Sequence, residues 1–201
     1  MSKAVPERCP WAGGGSLMQQ YHDQEWGRPL HDERALFEFL ILEGAQAGLS
    51  WSTILNKREN YRLAFEQFDA ERIAAYTDAD RARLLADAGI VRNRLKIDAA
   101  IGNAKAYLQL RNTHGSLDAW LWRWVDGKPL VNRWDDKGQV PARTPLSDEI
   151  SKALLKAGFK FVGSTIIYAY LQAVGVVNDH LTGCFRHAEL VSPPVRARRV
   201  R

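Results

Sequence analysis

Apolar residues recur at intervals of three and four along most of the chain, which is the pattern of amphipathic helices. Four of these segments are preceded by residues that can cap a helix start: Asp32, Ser50, Asp69 and Ser147. No segment alternates apolar and polar residues between turn signals, as a half-buried strand would. The sequence therefore predicts an all-α fold.

Glycines and apolar stripes indicate where the other helices begin and end. A segment containing Leu84 and Leu85 should end at Gly89, because glycine suits the left-handed conformation that often follows a helix. A long helix is expected from about Asn93, with one stripe formed by Leu95, Ile101, Ala104 and Leu108. The remaining expectations are a helix from Ser147 to near Gly158, helices over 117–125 and 163–174, and an irregular segment over 127–146.

Length and composition favour a globular protein. With 201 residues, 46% of them hydrophobic, the chain suits one domain over 1–187, built as a single unit or as two joined lobes. Residues 188–201 are rich in arginine and proline and predict a disordered basic tail. No apolar run is long enough to cross a membrane and no secretory core is visible, so we expect a cytoplasmic monomer without membrane contact.

Charge and aromatic content suggest a partner. The net charge is +5, which favours an acidic partner, and nucleic acid is the commonest one. Seven tryptophans fit either rings that hold bases or a tryptophan-rich core.

Both cysteines lie near histidines, and the two pairs stand at opposite ends of the chain. Cys9 and His22 are near the start, and His180 and Cys184 are four residues apart near the end, on one side of a helical turn. Two cysteines with two histidines form a common closed set of ligands for structural zinc, which here would join the two ends of the chain. Buried thiols that act as small hydrophobes, or a disulfide, remain alternatives.

Residues 84–96 have the outline of a helix-hairpin-helix. A helix stops near Gly89, a short apolar turn follows, and the next helix begins with Arg92, Arg94 and Lys96. Glycine would let the backbone approach a phosphate, and free N–H groups at the helix start would point at the anion. The alternative is an ordinary corner between two helices with a solvated basic face.

Two further residues invite a functional interpretation. Glu43 stands in the apolar run 40–45, where a carboxylate needs a partner or a chemical role; capping a helix or pairing with an arginine would also explain it. Leu49 follows Gly48 in a short turn. It could enter a base step of DNA as an apolar wedge, or it could pack inward before the Ser50 cap.

Five motifs resemble those of the DNA-3-methyladenine glycosylase I family, over about residues 7–186. They are Tyr21-His22-Asp23-x-Glu25-Trp26-Gly27, Leu42-Glu43-Gly44-x-Gln46-Ala47-Gly48-Leu49-Ser50-Trp51, Lys57-Arg58-Glu59-Asn60-Tyr61, Gly158-Phe159-Lys160-Phe161-Val162-Gly163 and Val177-Asn178-Asp179-His180-x3-Cys184. The resemblance implies a compact all-α helix-hairpin-helix glycosylase fold with structural zinc. By motif, the zinc ligands fall on Cys9, His22, His180 and Cys184, and the base pocket on Glu43, Tyr21, Trp26 and Trp51.

The activity implied by this resemblance is excision of 3-methyladenine from double-stranded alkylated DNA, by flipping the base into an aromatic pocket beside Glu43. DNA contacts are expected from Leu49, Gly89, Arg92 and Lys96. The family implies no lysine nucleophile and no aspartate at the hairpin, where Asp98 is the nearest candidate. A non-enzymatic zinc-stabilised nucleic-acid-binding module and a zinc hydrolase are the rival interpretations, and the second would need an open coordination position.

Overall fold

The computed structural model describes residues 7–191, and within that range nearly all regular structure is helical. The helices are α1 (Ser16–Gln24), α2 (Glu33–Gln46), α3 (Trp51–Ala64), α4 (Ala70–Ala74), α5 (Asp78–Ala86), α6 (Arg94–His114), α7 (Leu117–Trp122), α8 (Pro145–Lys156), α9 (Ser164–Ala173) and α10 (Phe185–Val191). Short 3₁₀ turns lie at Pro10–Gly13, Glu66–Phe68, Arg123–Val125 and Lys137–Gln139. The prediction of a mostly helical fold is confirmed.

Helix α2 forms the centre of the fold. Every residue from Leu36 to Ala45 is buried, because α3, α6, α7 and α9 all pack against this helix. A helix that is apolar on all sides is expected only in such a position. It therefore carries Glu43, the one carboxyl in the run 40–45, into the interior.

Several predicted helix starts are confirmed by their hydrogen bonds. Asp32 accepts from Ala35 N–H and Ser50 from Thr53 N–H at the starts of α2 and α3. Asp69 caps α4, and Asn93 caps α6. The prediction for α8 is wrong by one turn. Thr144 is its cap, and Ser147 is the third residue of a reciprocal capping box, an arrangement that Pro145 at the first helical position also favours.

The expectation of no strand is corrected at one place. Leu130–Val131 (β1) pairs in parallel with Val177–Asn178 (β2), so the irregular segment 127–146 is tied to the chain just before His180. Two residues are too few to show an alternating pattern, so the sequence carried no signal for this pairing.

Three further expectations are corrected. Helix α5 ends at Ala86 rather than at Gly89, and Gly89 is not among the residues with positive φ. Leu95 is 70% exposed and does not belong to the buried stripe of α6. The expected tail begins inside α10, which continues to Val191, and the rest of it, 192–201, lies outside the described residues. No helix in residues 7–191 is both long and apolar enough to span a bilayer.

Candidate active site

Four side chains from opposite ends of the chain meet in one buried cluster. The ligand atoms of Cys9, His22, His180 and Cys184 all lie within 4.8 Å of one another, and all four residues are buried. Cys184 Sγ is 3.4 Å from His22 Nε2 and 3.5 Å from His180 Nδ1, and Cys9 Sγ is 3.6 Å from His180 Nδ1. A tetrahedral zinc ion with ordinary bond lengths places sulfur and nitrogen ligands about 3.6 Å apart. The donor set and its spacing therefore fit zinc.

In each of the two cluster histidines, the second ring nitrogen also has a hydrogen-bond partner. His22 Nδ1 lies 2.8 Å from Asp23 Oδ1, and His180 Nε2 lies 3.1 Å from the backbone oxygen of Trp26. Such partners fix the tautomer that leaves the other nitrogen free for a metal. Arg8 in turn donates to Asp23 at 2.7 Å and lowers the pKa of that carboxyl, mainly through this hydrogen bond. The outer hydrogen bonds thus hold both imidazoles in a metal-binding orientation.

The pKa shifts of the two thiols also favour a negative charge in the cluster. Hydrogen bonding from Cys9, and then from His180 and His22, lowers the pKa of the Cys184 thiol well below its ordinary value. The neighbouring thiol of Cys9 keeps its proton in return, because Cys184 and burial raise its pKa. Neither cysteine forms a disulfide. Of the sequence-based alternatives, the disulfide is therefore excluded.

Directly beside this cluster lies a cavity of about 380 Å³ with aromatic walls. Trp26 connects the two, because its ring stands edge-on to His180 at 4.6 Å and also lines the cavity. Tyr21 and Trp51 form another part of the wall, with ring centroids 5.2 Å apart. The structure therefore brings together the three aromatic residues expected in the base pocket, and Glu43 lies in the same lining.

Among residues 7–191, Glu43 is the only carboxyl that lines this cavity, and it is 3% exposed. No group within residues 7–191 donates a hydrogen bond to it, and burial alone raises its pKa to about 8. The expectation that Glu43 caps a helix or pairs with an arginine is therefore wrong for the described part of the chain. A carboxyl in this setting is mostly protonated at pH 7 and ionises when a cation enters.

Tyr21 complements Glu43 as a donor. Its side chain is 2% exposed, and burial, followed by the nearby carboxyls of Glu43 and Glu25, raises its pKa well above the ordinary value. The phenol therefore keeps its proton throughout the neutral pH range. Arg58 forms an ion pair with Glu25 at 2.6 Å, and this contact fixes the position of the Glu25 carboxylate.

The turn between α2 and α3 presents Leu49 to solvent. Gly48 has φ +77°, a conformation that favours glycine, and it turns the chain so that Leu49 is 39% exposed. The Leu49 N–H donates to Gln46 O at 2.6 Å, which stiffens the turn. Inward packing of Leu49 is therefore the weaker of the two interpretations, and its use as a wedge stays a prediction.

The predicted hairpin is a helix–turn–helix corner between α5 and α6, fastened to α3. Lys57 donates to the carbonyls of Ala88 and Gly89, and Gly89 N–H donates to Asp87 Oδ1 at 2.7 Å. Gly89 is required for a different reason than the one inferred from sequence. A Cβ atom there would lie 2.9 Å from Asp87 Oδ1 and 3.1 Å from Asn60 Cβ. The glycine thus allows a close approach rather than a left-handed turn.

The basic residues of the hairpin divide into two groups. Arg92 and Arg94 are exposed at the start of α6, beside helix N–H groups that have no intrahelical acceptor. Lys96 instead points inward, and its Nζ donates to the carbonyls of Ala45 and Ala47, each at 2.7 Å. Lys96 therefore caps the end of α2. Arg92 remains a predicted phosphate contact.

Asp98 does not stand free beside the hairpin. Its carboxylate pairs with Arg81 at 3.0 Å and lies 3.8 Å from Arg94. The absence of a catalytic aspartate at the hairpin stays a prediction.

We expect Gly89→Ala to weaken binding of abasic-site DNA by about tenfold, because the new methyl group must displace Asp87 and shift the turn. Gly102→Ala is the matched control. Gly102 lies in α6, which begins just after this corner, and a Cβ there meets nothing within 4 Å. Fluorescence anisotropy of labelled DNA measures the difference. Equal DNA affinities for the two variants would show that the hairpin does not contact DNA.

Comparison with known proteins agrees with this geometry. The sequence profile of the methyladenine glycosylase family matches residues 11–187. The chain belongs to this family. It is 51% identical over 178 residues to DNA-3-methyladenine glycosylase 1 of Escherichia coli K12, covering 89% of this chain and 95% of that protein. This relationship supports the glycosylase interpretation and not the alternative of a non-enzymatic zinc-stabilised nucleic-acid-binding module.

Solved structures of the methyladenine glycosylase family share the fold. A crystal structure of 3-methyladenine DNA glycosylase I matches with a TM-score of 0.87 and 51% identity, over 89% of this chain and 98% of that one. A point variant of 3-methyladenine DNA glycosylase I, solved in complex with 3-methyladenine, matches with a TM-score of 0.85 and 36% identity, over 88% and 95% of the two chains.

Sequence reasoning missed part of the pocket of this family member. Three of its residues had a usable signal: Trp11 follows the predicted ligand Cys9 by two residues, and Gln46 and Ser50 stand in the motif over 42–51. The others come from α1, α3 and α9, and only the packing of these helices brings them together. The additional lining residues are Trp11, Met18, Gln46, Ser50, Ser52, Ala169 and Gln172.

Proposed function

We propose that this protein is a monofunctional DNA glycosylase that removes 3-methyladenine from double-stranded alkylated DNA. The observation that carries the proposal is the aromatic cavity that contains one buried, unpartnered carboxyl, Glu43. Relatives at 51% identity bear the name of this activity, and one related structure contains the free base.

The chemistry required of the protein is modest, because methylation at N3 places a positive charge on the base in DNA. Water attacks C1′ of the sugar, the glycosidic bond breaks, and the base leaves with the bonding electron pair as a neutral molecule. The attacking water becomes the C1′ hydroxyl and releases one proton to solvent. The enzyme must flip the base out and hold it. The faces of Trp51 and Tyr21 favour a cation, and Glu43 accepts hydrogen bonds from the base edge.

The same features reject ordinary adenine. A neutral base gains less from the electron-rich ring faces, and it does not stabilise the ionised form of Glu43. In this proposal Glu43 acts mainly through recognition of charge, and the alkylated base supplies its own leaving-group ability.

We further propose that Cys9, His22, His180 and Cys184 hold one structural zinc ion. When bound, zinc would link the segment before α1 to the segment before α10 and so fix the Trp26 side of the cavity. Four protein ligands leave no open position for water, which argues against a zinc hydrolase.

The proposed DNA contacts lie at the corner between α5 and α6 and at the turn between α2 and α3. We propose that Arg92 and the backbone at Gly89 contact phosphates, while Leu49 enters the base step vacated by the flipped nucleotide. Lys96 contributes indirectly by holding the end of α2 next to the Leu49 turn. We take residues 1–187 to act as one domain and as a monomer on DNA.

Mass-resolved analysis of the bases released from methylated DNA tests the function. The expected product is free 3-methyladenine with an intact abasic strand, because no lysine of the described residues lines the cavity to cut the backbone. DNA that binds but yields no free base would overturn the enzymatic assignment in favour of a non-enzymatic zinc-stabilised nucleic-acid-binding module.

The pH dependence of excision should report Glu43. Because its pKa is about 8 in the empty cavity, binding of a cationic base below that pH must release a proton. We expect log(kcat/KM) to rise with a slope near one from pH 6 towards 8 and then level. The Glu43→Gln variant should be flat over the same range. A wild-type profile that is already flat between pH 6 and 8 contradicts this role.

A further inference from the structure

Gln172 is a side chain of the cavity whose orientation is set by a hydrogen bond to a buried carboxylate. It lies near the end of α9, lines the cavity, and donates from Nε2 to Asp179 Oδ2 at 2.6 Å. Its carbonyl oxygen Oε1 accepts no hydrogen bond from the described residues and is not among the fully buried unpaired atoms. The side chain therefore presents an acceptor that is free for a ligand.

Asp179 fixes this orientation because it can only accept. Four donors converge on its buried carboxylate: Gln172 and the Tyr168 hydroxyl on Oδ2, with Asn132 Nδ2 at 2.7 Å and Trp134 Nε1 at 2.8 Å on Oδ1. Because all four contacts come from donors, both oxygens of Asp179 act as acceptors here. If the Gln172 amide were flipped, its oxygen would face an acceptor oxygen at 2.6 Å, so the Nε2-inward orientation is the stable one.

The cavity thus offers two acceptors on adjacent helices. Glu43 extends from α2 and Gln172 from α9, and these two helices pack against each other. An exocyclic amine carries two N–H groups and can donate to both acceptors. A carbonyl oxygen at the same place on the ring would face two acceptors, and it would leave the buried groups unpaired.

We propose that Gln172 is a specificity-determining residue that selects 6-amino over 6-oxo alkylated purines, with Asp179 as its positioning residue. This rests on the proposed glycosylase function and adds the discrimination between adenine-type and guanine-type bases. It also gives the segment 127–146 a role, because Asn132 and Trp134 help to hold Asp179.

The test is competitive release of 3-methyladenine and 3-methylguanine from one preparation of methylated DNA, with both bases measured by mass spectrometry. Gln172→Met keeps the length of the side chain but removes the acceptor. We expect the ratio of the two kcat/KM values to fall about tenfold, mainly through slower release of 3-methyladenine. Gln172→Asn withdraws the amide by one methylene, so the ratio should fall in the same direction if the methionine variant does not fold.

Trp134→Phe tests the positioning role of Asp179. Trp134 helps to hold Asp179, so this variant should lower thermal stability and shift the base ratio in the same direction as Gln172→Met, by a smaller factor. Tyr170→Phe, on the same helix as Gln172, is the control for stability alone, because it removes a buried hydrogen bond to Leu36 O outside the cavity and should keep the wild-type base ratio. A folded Gln172→Met protein with an unchanged ratio overturns the assignment of Gln172. A wild-type protein that releases neither base overturns the proposed function itself, and this inference with it.

Discussion

Replacing Cys184 with serine should remove the metal from the protein and lower its melting temperature by roughly 10 °C. The bound ion would contribute folding free energy directly, because the unfolded chain has no preformed site, and loss of a ligand should cost at least about 3 kcal/mol. For a chain of this size, that corresponds to a shift of roughly 6–12 °C. Elemental analysis and calorimetry at one protein concentration measure both effects.

Two controls separate loss of metal from loss of a buried thiol. A strong chelator should lower the melting temperature of the wild type towards that of Cys184→Ser and leave the variant unchanged. Asp23→Asn retains all four ligands but weakens the hydrogen bond that orients His22, so we expect a smaller effect of about 1–3 kcal/mol. Purified wild-type protein that contains no metal and melts independently of chelator contradicts the assignment.

The ligand cluster could be predicted from sequence because its chemistry is sparse. The chain has two cysteines and five histidines, so few alternative ligand sets exist. The outer hydrogen bonds could not be predicted in the same way. Asp23 is adjacent to His22 in sequence, but the partner of His180 is the backbone oxygen of Trp26, which carries no side-chain signal.

The corner between α5 and α6 shows how a glycine can be placed correctly from sequence while its physical role is explained wrongly. A glycine after a predicted helix suggested positive φ, yet what Gly89 allows is contact with Asn60 on α3, which is distant in sequence. Likewise, Lys96 looked like one basic residue among three. Its use at the end of α2 depends on how two helices pack, and a local pattern does not contain that information.

The pocket was predictable as far as its residues stood in dense motifs. Tyr21, Trp26, Glu43 and Trp51 occur in two short segments rich in aromatic residues and carboxyls. Gln172 lies in an apolar helical run and owes its orientation to Asp179, which is brought near by the return of the chain towards the zinc ligands. Such an indirect arrangement becomes visible only in three dimensions.

Replacing Glu43 with glutamine should lower kcat/KM for release of 3-methyladenine by a factor of roughly 30 to 1,000. The variant keeps the size of the side chain and one acceptor but cannot ionise to balance the cationic base. Loss of a charged hydrogen-bond partner in a buried site costs on the order of 2–4 kcal/mol. Excision should not vanish, because the methylated base remains a good leaving group. Single-turnover kinetics on methylated DNA provides the measurement.

The free energy of unfolding of Glu43→Gln should rise relative to the wild type, although its activity falls. Folding raises the pKa of Glu43 from 4.5 to about 8, so the folded protein binds the proton more tightly than the unfolded chain. The resulting contribution to the free energy of unfolding is fully present below pH 4.5 and is lost as the pH rises through 8. It amounts to about 3–4 kcal/mol between pH 5 and pH 8. Glutamine does not titrate, so Glu43→Gln should gain stability relative to the wild type over this interval.

Glu38→Gln is the matched control on the same helix. Glu38 is also buried, but it pairs with Arg62 at 2.7 Å and lies outside the cavity. Removing its charge leaves Arg62 without that partner, so this variant should be less stable than the wild type while its excision rate is preserved. If Glu43→Gln excised 3-methyladenine at the wild-type rate, Glu43 would be only a buried helix residue. The combination of lower activity with higher stability at pH 8 is instead expected where a carboxyl is kept in an apolar pocket for its ligand.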